Sequence, residues 1–495
     1  MDQAITNCYA AVDIGASSGR VVVGRIHNGK IELTEIHRFD NLQKRIDGHD
    51  CWDIEMLAEE TIRGLAKCKE AGFQPTSVGI DTWAVDFVLL DKDDHVLGNA
   101  VAYRDERTHG IFEEADASMS FEELYARAGI QRLAFNTVYQ FVALKKEHPE
   151  HLAAAKSFLM IPDYLHFVLT GKKSNEYTNA SSTSLLNART QQWDGEILQA
   201  YGIPADIFLP PSMPGAVLGE FLPEIAQRIG YQAQVVLPAT HDTGSAFLAV
   251  PARDEQAVFL SSGTWSLLGV ENKEALTSEA CRFQNFTNEG GYELRFRFLK
   301  NIMGLWMIQC IRRELNGVQY VAGTQAVDPA SLIEGFEPGK TYGFSDLIEL
   351  AQEAAGFEAY VDVNEERFLS PDCMIAEVQQ SCKDLGQPVP RTLAQLMRCV
   401  YMSLVKCYED AIANLSVLTG KTYTSINIVG GGCQDAFLDQ MTASVCGVPV
   451  FAGPVEGTSL GNLAVQMIAA GEYEDTQEFR RAIIESFDVK RFDPQ

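Results

Sequence analysis

The chain has 495 residues, with 67 acidic against 40 basic side chains and a formal net charge of −27. At ~150 residues per domain this length holds two to four domains, and 46% hydrophobic with 22% charged residues excludes a disordered, collagenous or coiled-coil chain. The acidic balance excludes non-specific binding to nucleic acid or anionic membranes, which need clustered Lys and Arg, but leaves phosphate ligands open, because backbone amides and one magnesium ion hold them without net positive charge.

No run approaches the ~18 apolar residues of a membrane helix. The opening residues 1–7 lack a basic stretch followed by an apolar block, so a cytoplasmic protein without a leader is expected. Eleven cysteines cannot all pair within one chain, and none stand in C-x-x-C spacing; buried reduced thiols are expected. His148 and His151 lack the H-E-x-x-H order and are separated by Pro149, which argues against zinc.

In chain order, residues 9–13 form an apolar strand, Gly15-Ala16-Ser17-Ser18-Gly19 turns the chain, and residues 21–23 and 30–39 add two further strands. Residues 54–72 carry apolar positions at helical spacing up to a glycine stop, and 78–81 return as a buried strand. Strands in tight succession, followed by strand–helix alternation, indicate an α/β domain with a mixed sheet. Residues 120–128 and 475–484 read as amphipathic surface helices.

Half a chain later the opening pattern repeats. An apolar strand at 257–260, the loop Ser261-Ser262-Gly263-Thr264 and a strand at 265–270 match the strand–loop–strand of residues 12–24. A duplicated protein with two domains, 1–250 and 251–495, explains this, with the boundary in 248–256 around Pro251. The alternative is coincidence, since Gly/Ser hairpin turns are common.

Three Gly-Lys pairs, at Gly171, Gly339 and Gly420, fail the P-loop pattern because His166, Glu334 and Leu415 stand where it needs its first glycine. No G-x-G-x-x-G follows a strand, so a Rossmann fingerprint is missing. Three small-residue loops remain: Asp13–Arg20, Ser261–Thr264, and Ile428-Val429-Gly430-Gly431-Gly432-Cys433, a strand running into three glycines before a helix. Their amides and hydroxyls suit phosphate oxygens, Arg20 adds a positive charge, and Asp13 could hold Mg²⁺ through water. Together they suggest a nucleotide cleft between two domains. A phosphoryl-transfer enzyme also needs a carboxylate to take the proton of the attacking hydroxyl. Asp242, flanked by His241 and Thr243, is the candidate, with Asp81, Asp86 and Asp163 as rivals.

The segments Asp13–Arg20, Asp81-Thr82-Trp83, Tyr103-Arg104-Asp105, Tyr177-Thr178-Asn179-Ala180, His241-Asp242-Thr243, Ser261–Trp265, Leu299-Lys300-Asn301 and Gly453-Pro454-Val455-Glu456 occur in an order that resembles the FGGY carbohydrate kinases, from about residue 10 to about residue 468. The resemblance implies two actin-like (ribonuclease H-like) domains with mixed sheets, closing over ATP and a ketose. It implies that Ala16, Ser17, Ser18, Gly19, Arg20, Thr264, Gln309 and Gly431 contact the nucleotide. Ala84, His241, Asp242, Thr243 and Asn301 would contact the sugar, with Asp242 as general base and Asp13 near magnesium. The implied reaction is ATP-dependent phosphorylation of L-rhamnulose to L-rhamnulose 1-phosphate, in L-rhamnose breakdown.

Asn301 has a competing assignment as the N-cap of a helix over 302–315. Family members often carry glycine where Ala84 stands, which bears on the choice of sugar. Where some members carry a cysteine four residues before Cys446, Thr442 stands here. The rival functions are a kinase of L-fuculose, D-xylulose or another polyol, and a non-catalytic actin-like ATP switch; the oligomeric state is left open.

Overall fold

The computed structural model describes residues 7–318 and 328–495. The opening residues 1–6 read above lie outside them. By contacts the chain divides into two compact units: Met1–Pro251, Val270–Leu299 and Glu456–Asp488 in the first, Ala252–Gly269, Lys300–Val455 and Val489–Gln495 in the second.

The first unit is built on one apolar strand. β1 (Cys8–Ile14) is buried along its whole length, and its side chains alternate between two cores. Cys8, Ala10, Val12 and Ile14 join one cluster; Tyr9 and Ala11 join the other. A strand covered on both faces reads as a continuous apolar run, which is why the sequence signal here is strong. Around it lie β2 (Ser18–His27), β3 (Lys30–Asp40), β4 (Ser77–Thr82), β5 (Val217–Glu220) and β6 (Gln234–Val236), in the order β3-β2-β1-β4-β6-β5. β1 runs antiparallel to β2 and parallel to β4, and β6 runs parallel to β4.

One face is covered by the helix Ile54–Glu70, opened by Asp53 accepting the Met56 amide and burying Leu57, Ile62, Leu65 and Cys68. The helix Gly457–Ala469 covers the other, from far along the chain. Its polar residues Ser459, Asn462 and Gln466 share one side at helical spacing and meet the sheet. Gln466 Nε2 donates to the Ala10 carbonyl at 2.9 Å, and Ser77 Oγ donates to Gln466 Oε1 at 2.6 Å. The small residues of β1 and β4 let this helix come close. A Cβ added to Gly79 would lie 2.6 Å from Asn462 Oδ1.

In the second sheet, β7 (Ala257–Ser262), β8 (Ser266–Asn272, whose residues 266–269 belong to the second unit), β9 (Ser425–Val429), β10 (Val450–Ala452) and β11 (Lys490–Phe492) run in the order β8-β7-β9-β10-β11. β7 is antiparallel to its hairpin partner β8 and parallel to β9. The first unit has the same arrangement in β2-β1-β4, so the repeated strand–loop–strand pattern is a repeated topology. The glycines of the false P-loops are helix ends and a turn: Gly171 and Gly420 close helices in the left-handed conformation, and Gly339 has φ 84°.

The expected helix over 302–315 is shorter. Phe296–Ile302 is a strand that pairs in part with Thr287–Gly290, and the helix begins at Trp306. Asn301 therefore lies in a strand, and the N-cap position of the helix falls to Leu305; the run of buried residues 296–299 makes this segment a strand.

Asp439, on the helix Ala436–Cys446, is fully buried with neither carboxylate oxygen hydrogen-bonded among the described residues. Burial, with the charge of Asp435 added, pushes its carboxyl up to about 8. The folded state holds this proton more tightly than the unfolded chain does. Stability therefore falls as pH rises from about 4 towards 8, by on the order of 3–4 kcal/mol at pH 7. Asp439→Asn, which mimics the protonated form, is expected to raise Tm by several degrees at pH 8 and to leave it unchanged near pH 4. An equal shift at both pH values would assign the effect to packing.

Candidate active site

In the first unit the register of three strands assembles the polar centre. Asp13, near the end of β1, stands opposite Arg20 on β2 and opposite Asp81 on β4. Arg20 donates to Asp13 Oδ2 from Nε at 3.1 Å and Nη2 at 2.8 Å, and its Nη1 pairs with Glu456. Ser459 Oγ donates to the same Asp13 oxygen at 2.8 Å. Between Asp13 and Arg20, the Gly15 amide donates to the Ser18 carbonyl at 2.9 Å, and Asn41 holds the turn through the carbonyls of Gly15 and Ser17. Ser17 is exposed, Ala16 and Ser18 are half-buried, and Gly19 packs under Phe39, whose Cζ lies 2.2 Å from where a Cβ would sit.

The rival carboxylates have structural partners. Asp86 Oδ2 accepts from the indoles of Trp52 and Trp83 at 2.6 and 2.9 Å and from the Tyr103 amide, while Oδ1 accepts from Gln140. Burial pushes it up to about 6. Asp163 accepts from Ser174 and the Glu176 amide. Asp81 is fully buried; Asn462 Nδ2 donates to its Oδ2 at 2.6 Å, and Oδ1 has no hydrogen-bond partner among the described residues. Burial and the adjacent charge of Asp13 push Asp81 well above the ordinary carboxylate range. None of the three is open to an incoming hydroxyl.

Asp242 is different. It opens the helix Asp242–Leu248 and keeps 29% of its side chain exposed. The Thr243 amide and hydroxyl both donate to Oδ1, at 2.6 and 3.1 Å, and His241 Nε2 lies 3.5 Å from that oxygen. Oδ2 accepts no hydrogen bond from the described residues. Burial raises this carboxyl from its ordinary value. The backbone leading to it is fixed by the buried Glu176, whose Oε2 accepts from the Thr240 amide and hydroxyl at 3.1 and 2.6 Å. Asn179 Nδ2 lies 3.4 Å from the carbonyls of both Trp83 and Thr240, between the loop of Ala84 and that of His241. Ala84 is half-buried and precedes Val85 at φ 69°, a left-handed conformation that costs a β-branched residue energy and is held by Thr137 and Gln140 on the Val85 carbonyl.

In the second unit the turn after β7 is closed by the Gly263 amide on the Trp265 carbonyl at 2.9 Å. The Trp306 amide donates to the Thr264 carbonyl at 3.1 Å. That contact sets the helix Trp306–Leu315 against the turn, and Thr264 Oγ1 reaches Gln309 Oε1 at 3.5 Å. The three glycines after β9 differ. A Cβ on Gly430, at φ 90°, would lie 2.8 Å from the Ser262 carbonyl oxygen, and one on Gly432 would lie 1.9 Å from Ser262 Oγ. Gly431 is exposed, and a Cβ there would meet nothing within 4 Å. Two glycines serve packing; the third fronts open space. Asn301 is half-buried.

The sequence-predicted Asp13, Arg20, His241, Asp242 and Thr243 thus gather around the strand ends of one sheet, and Thr264, Gln309 and Gly431 lie on loops of the other. Glu456, Ser459 and Asn462 were missed as partners of Arg20, Asp13 and Asp81; their helical spacing signals only an amphipathic face. Arg297 and Glu289, beside His241, were missed as well. His148, Glu150 and His151 come within 4.8 Å of one another, but the two rings stack 4.8 Å apart at 16°, so their in-plane lone pairs run side by side.

A repeated mixed sheet with a small-residue loop between its first two strands, beside a carboxylate with one pinned and one open oxygen, is an arrangement that suits a phosphotransferase. Residues 8–249 match the N-terminal domain, and residues 258–470 the C-terminal domain, of the FGGY family of carbohydrate kinases. The chain belongs to that family. It is 48% identical to the rhamnulokinase of Halalkalibacterium halodurans over 98% of each chain, and 42% identical to that of Klebsiella pneumoniae over 99% of this chain and 95% of the relative. Among solved structures it is similar to gluconate kinase from Lactobacillus acidophilus and to Plasmodium falciparum glycerol kinase with ADP. Each has a TM-score of 0.76 and covers 99% of this chain and 94% of the other, at 17% and 14% identity. No helix among the described residues is long and apolar enough to cross a membrane.

Proposed function

We propose that the protein is a cytoplasmic kinase that transfers the γ-phosphoryl group of ATP to O1 of L-rhamnulose, giving L-rhamnulose 1-phosphate and ADP. The observation that carries the chemistry is the asymmetry of Asp242: Oδ1 is held by Thr243 while Oδ2 is open. An open carboxylate oxygen on a fixed side chain is what a general base requires. The sugar's O1–H proton passes to Oδ2 as the O1–P bond forms and the bond from the γ-phosphorus to the bridging oxygen breaks. The named substrate is supported by the relatives called rhamnulokinase, which match along nearly the whole chain.

In this reading Ala16, Ser17, Ser18, Gly19 and Arg20 hold phosphate oxygens, and Thr264, Gln309 and Gly431 hold the nucleotide. Ala84, His241, Thr243 and Asn301 shape the sugar site. The sugar and first phosphate loop belong to residues 1–250, the nucleotide chiefly to 251–495. Asp13 and Asp81 offer hard oxygen donors of the kind magnesium takes, and Asp81 Oδ1 has no hydrogen-bond partner among the described residues, so the residues present fit the ion. Asp13 would hold it through water; when bound it offsets phosphate charge.

The test is initial ADP production with Mg-ATP against L-rhamnulose, L-fuculose, D-xylulose, D-ribulose and glycerol. L-Rhamnulose is expected to give the highest kcat/KM. If another sugar leads, the substrate falls and the Asp242 chemistry stands; if no sugar stimulates turnover, the kinase reading fails. Ala84→Gly is expected to change the ratio between the two best sugars by about tenfold or more, since one methyl group in a pocket is worth ~1–3 kcal/mol.

A further inference from the structure

We infer that Arg297 is a positioning residue for the base: it fixes the tautomer of His241 and thereby leaves Oδ2 of Asp242 as the open oxygen. The inference rests on the phosphoryl-transfer reading above and extends it to a residue that faces no solvent.

Arg297 lies on the strand Phe296–Ile302 with its side chain only 1% exposed. Its Nε donates to the Gly290 carbonyl at 2.9 Å, and its Nη2 lies 2.9 Å from His241 Nδ1 and 3.1 Å from Glu289 Oε2. A guanidinium only donates and keeps its charge. His241 Nδ1 must therefore offer a lone pair, and the neutral ring carries its proton on Nε2. That nitrogen faces Asp242 Oδ1, the oxygen on which both Thr243 donors already converge. All three donors favour one oxygen.

The other tautomer would turn an Nδ1–H against the guanidinium and the Nε2 lone pair against the Asp242 carboxylate, two repulsive contacts in a buried site. Glu289 is the competing partner, since its Oε2 lies 3.3 Å from Nδ1 and could accept from it. It also neutralises Arg297, so the pair brings no net charge beneath His241. Among the described residues, the charged groups paired with the ring are Arg297, Glu289 and Asp242. Removing the outer partner that orients a metal-bound histidine through its second nitrogen costs about 10–100-fold, and an effect on that scale is expected for Arg297.

The experiment uses the full chain labelled with ¹⁵N-histidine, its ring protonation read by long-range ¹H–¹⁵N correlation at pH 8, with His241→Gln identifying the His241 signals. The expected result is a single Nε2–H tautomer. In the double variant Glu289→Gln/Arg297→Met, which removes the donor without stranding a charge, that single signature is expected to be lost. Sugar-dependent kcat is expected to fall about 10–100-fold with the KM for ATP unchanged. Arg297→Lys, which keeps a donor, is expected to retain the tautomer and recover at least part of kcat.

An Nδ1–H tautomer in the wild type would overturn the inference and make Glu289 the partner. So would a folded double variant that loses the tautomer at wild-type kcat. Should the double variant not fold, an Arg297→Lys protein with the wild-type tautomer supports the inference, and one with the Nδ1–H form refutes it. Absence of sugar-stimulated turnover in the wild type would instead sink the functional reading, with the tautomer still measurable.

Discussion

Asp242→Ala is expected to lower sugar-dependent kcat by about 10³-fold or more while ADP still binds with wild-type affinity by calorimetry, because the proposed base takes the proton of the attacking hydroxyl and touches no nucleotide. Asp242→Asn sharpens the test. It can still accept from Thr243 through its carbonyl oxygen but offers no basic oxygen in place of Oδ2. Activity of the asparagine variant within tenfold of wild type, or ADP binding lost in parallel, would refute the assignment. Stability should move the other way. The carboxyl is raised by burial, so the folded state binds its proton more tightly than the unfolded chain does, and the ionised form destabilises the fold above the ordinary carboxylate range. The asparagine variant is accordingly expected to melt at or above the wild type at pH 8, the gap closing as pH falls towards 4. A base that costs stability is a familiar trade at functional sites.

Gly461→Ala is expected to damage fold and activity together. A Cβ there would sit 1.7 Å from the Ser245 carbonyl oxygen and 2.4 Å from its carbon, both backbone atoms that no side-chain rotation can clear. The helix Gly457–Ala469 and the helix Asp242–Leu248 must part, at a cost of about 3 kcal/mol or more. This corresponds to a fall in Tm of roughly 5–10 °C. Ser245 lies on the helix that Asp242 opens, so a shift of about 1 Å carries the base with it, and about 100-fold in kcat should go too. Gly431→Ala is the control: nothing stands within 4 Å of the new methyl group. It should melt like the wild type and raise only the KM for ATP. A Gly461→Ala protein with normal Tm and kcat would show that the two helices can separate freely.

The strand–loop–strand of residues 8–27 was legible because β1 is buried on both faces and its turn needs small residues. Asp242 stood in the sequence as one of four candidate carboxylates; its exposure and its hydrogen bonds set it apart from the buried Asp81, Asp86 and Asp163. The partners of Asp13 were hidden for a different reason. Ser459 meets it across more than 400 residues, and no local periodicity encodes such a contact. Arg297 was hidden because an arginine in an alternating strand reads as a solvent-facing residue, whereas this one is buried on a glutamate and a histidine. Asn301 shows the converse: a good capping residue before an apolar run promised a helix, but the strand Phe296–Ile302 runs through it.

The return of the helix Gly457–Ala469 to the first sheet sets an order of events during synthesis. β6 leaves the ribosome roughly 200 residues before that helix does, a delay of about 10–40 s at 5–20 residues per second. Throughout that interval the face of β1 that carries Tyr9 and Ala11 lacks its cover, and the Ala10 carbonyl and Ser77 hydroxyl lack Gln466. The nascent chain thus carries an open apolar sheet face, the kind of surface that chaperones bind. A ribosome stalled between the codons for residues 251 and 456 would leave that face without this helix, with only Leu248 and Ala249 of its later buried partners in place.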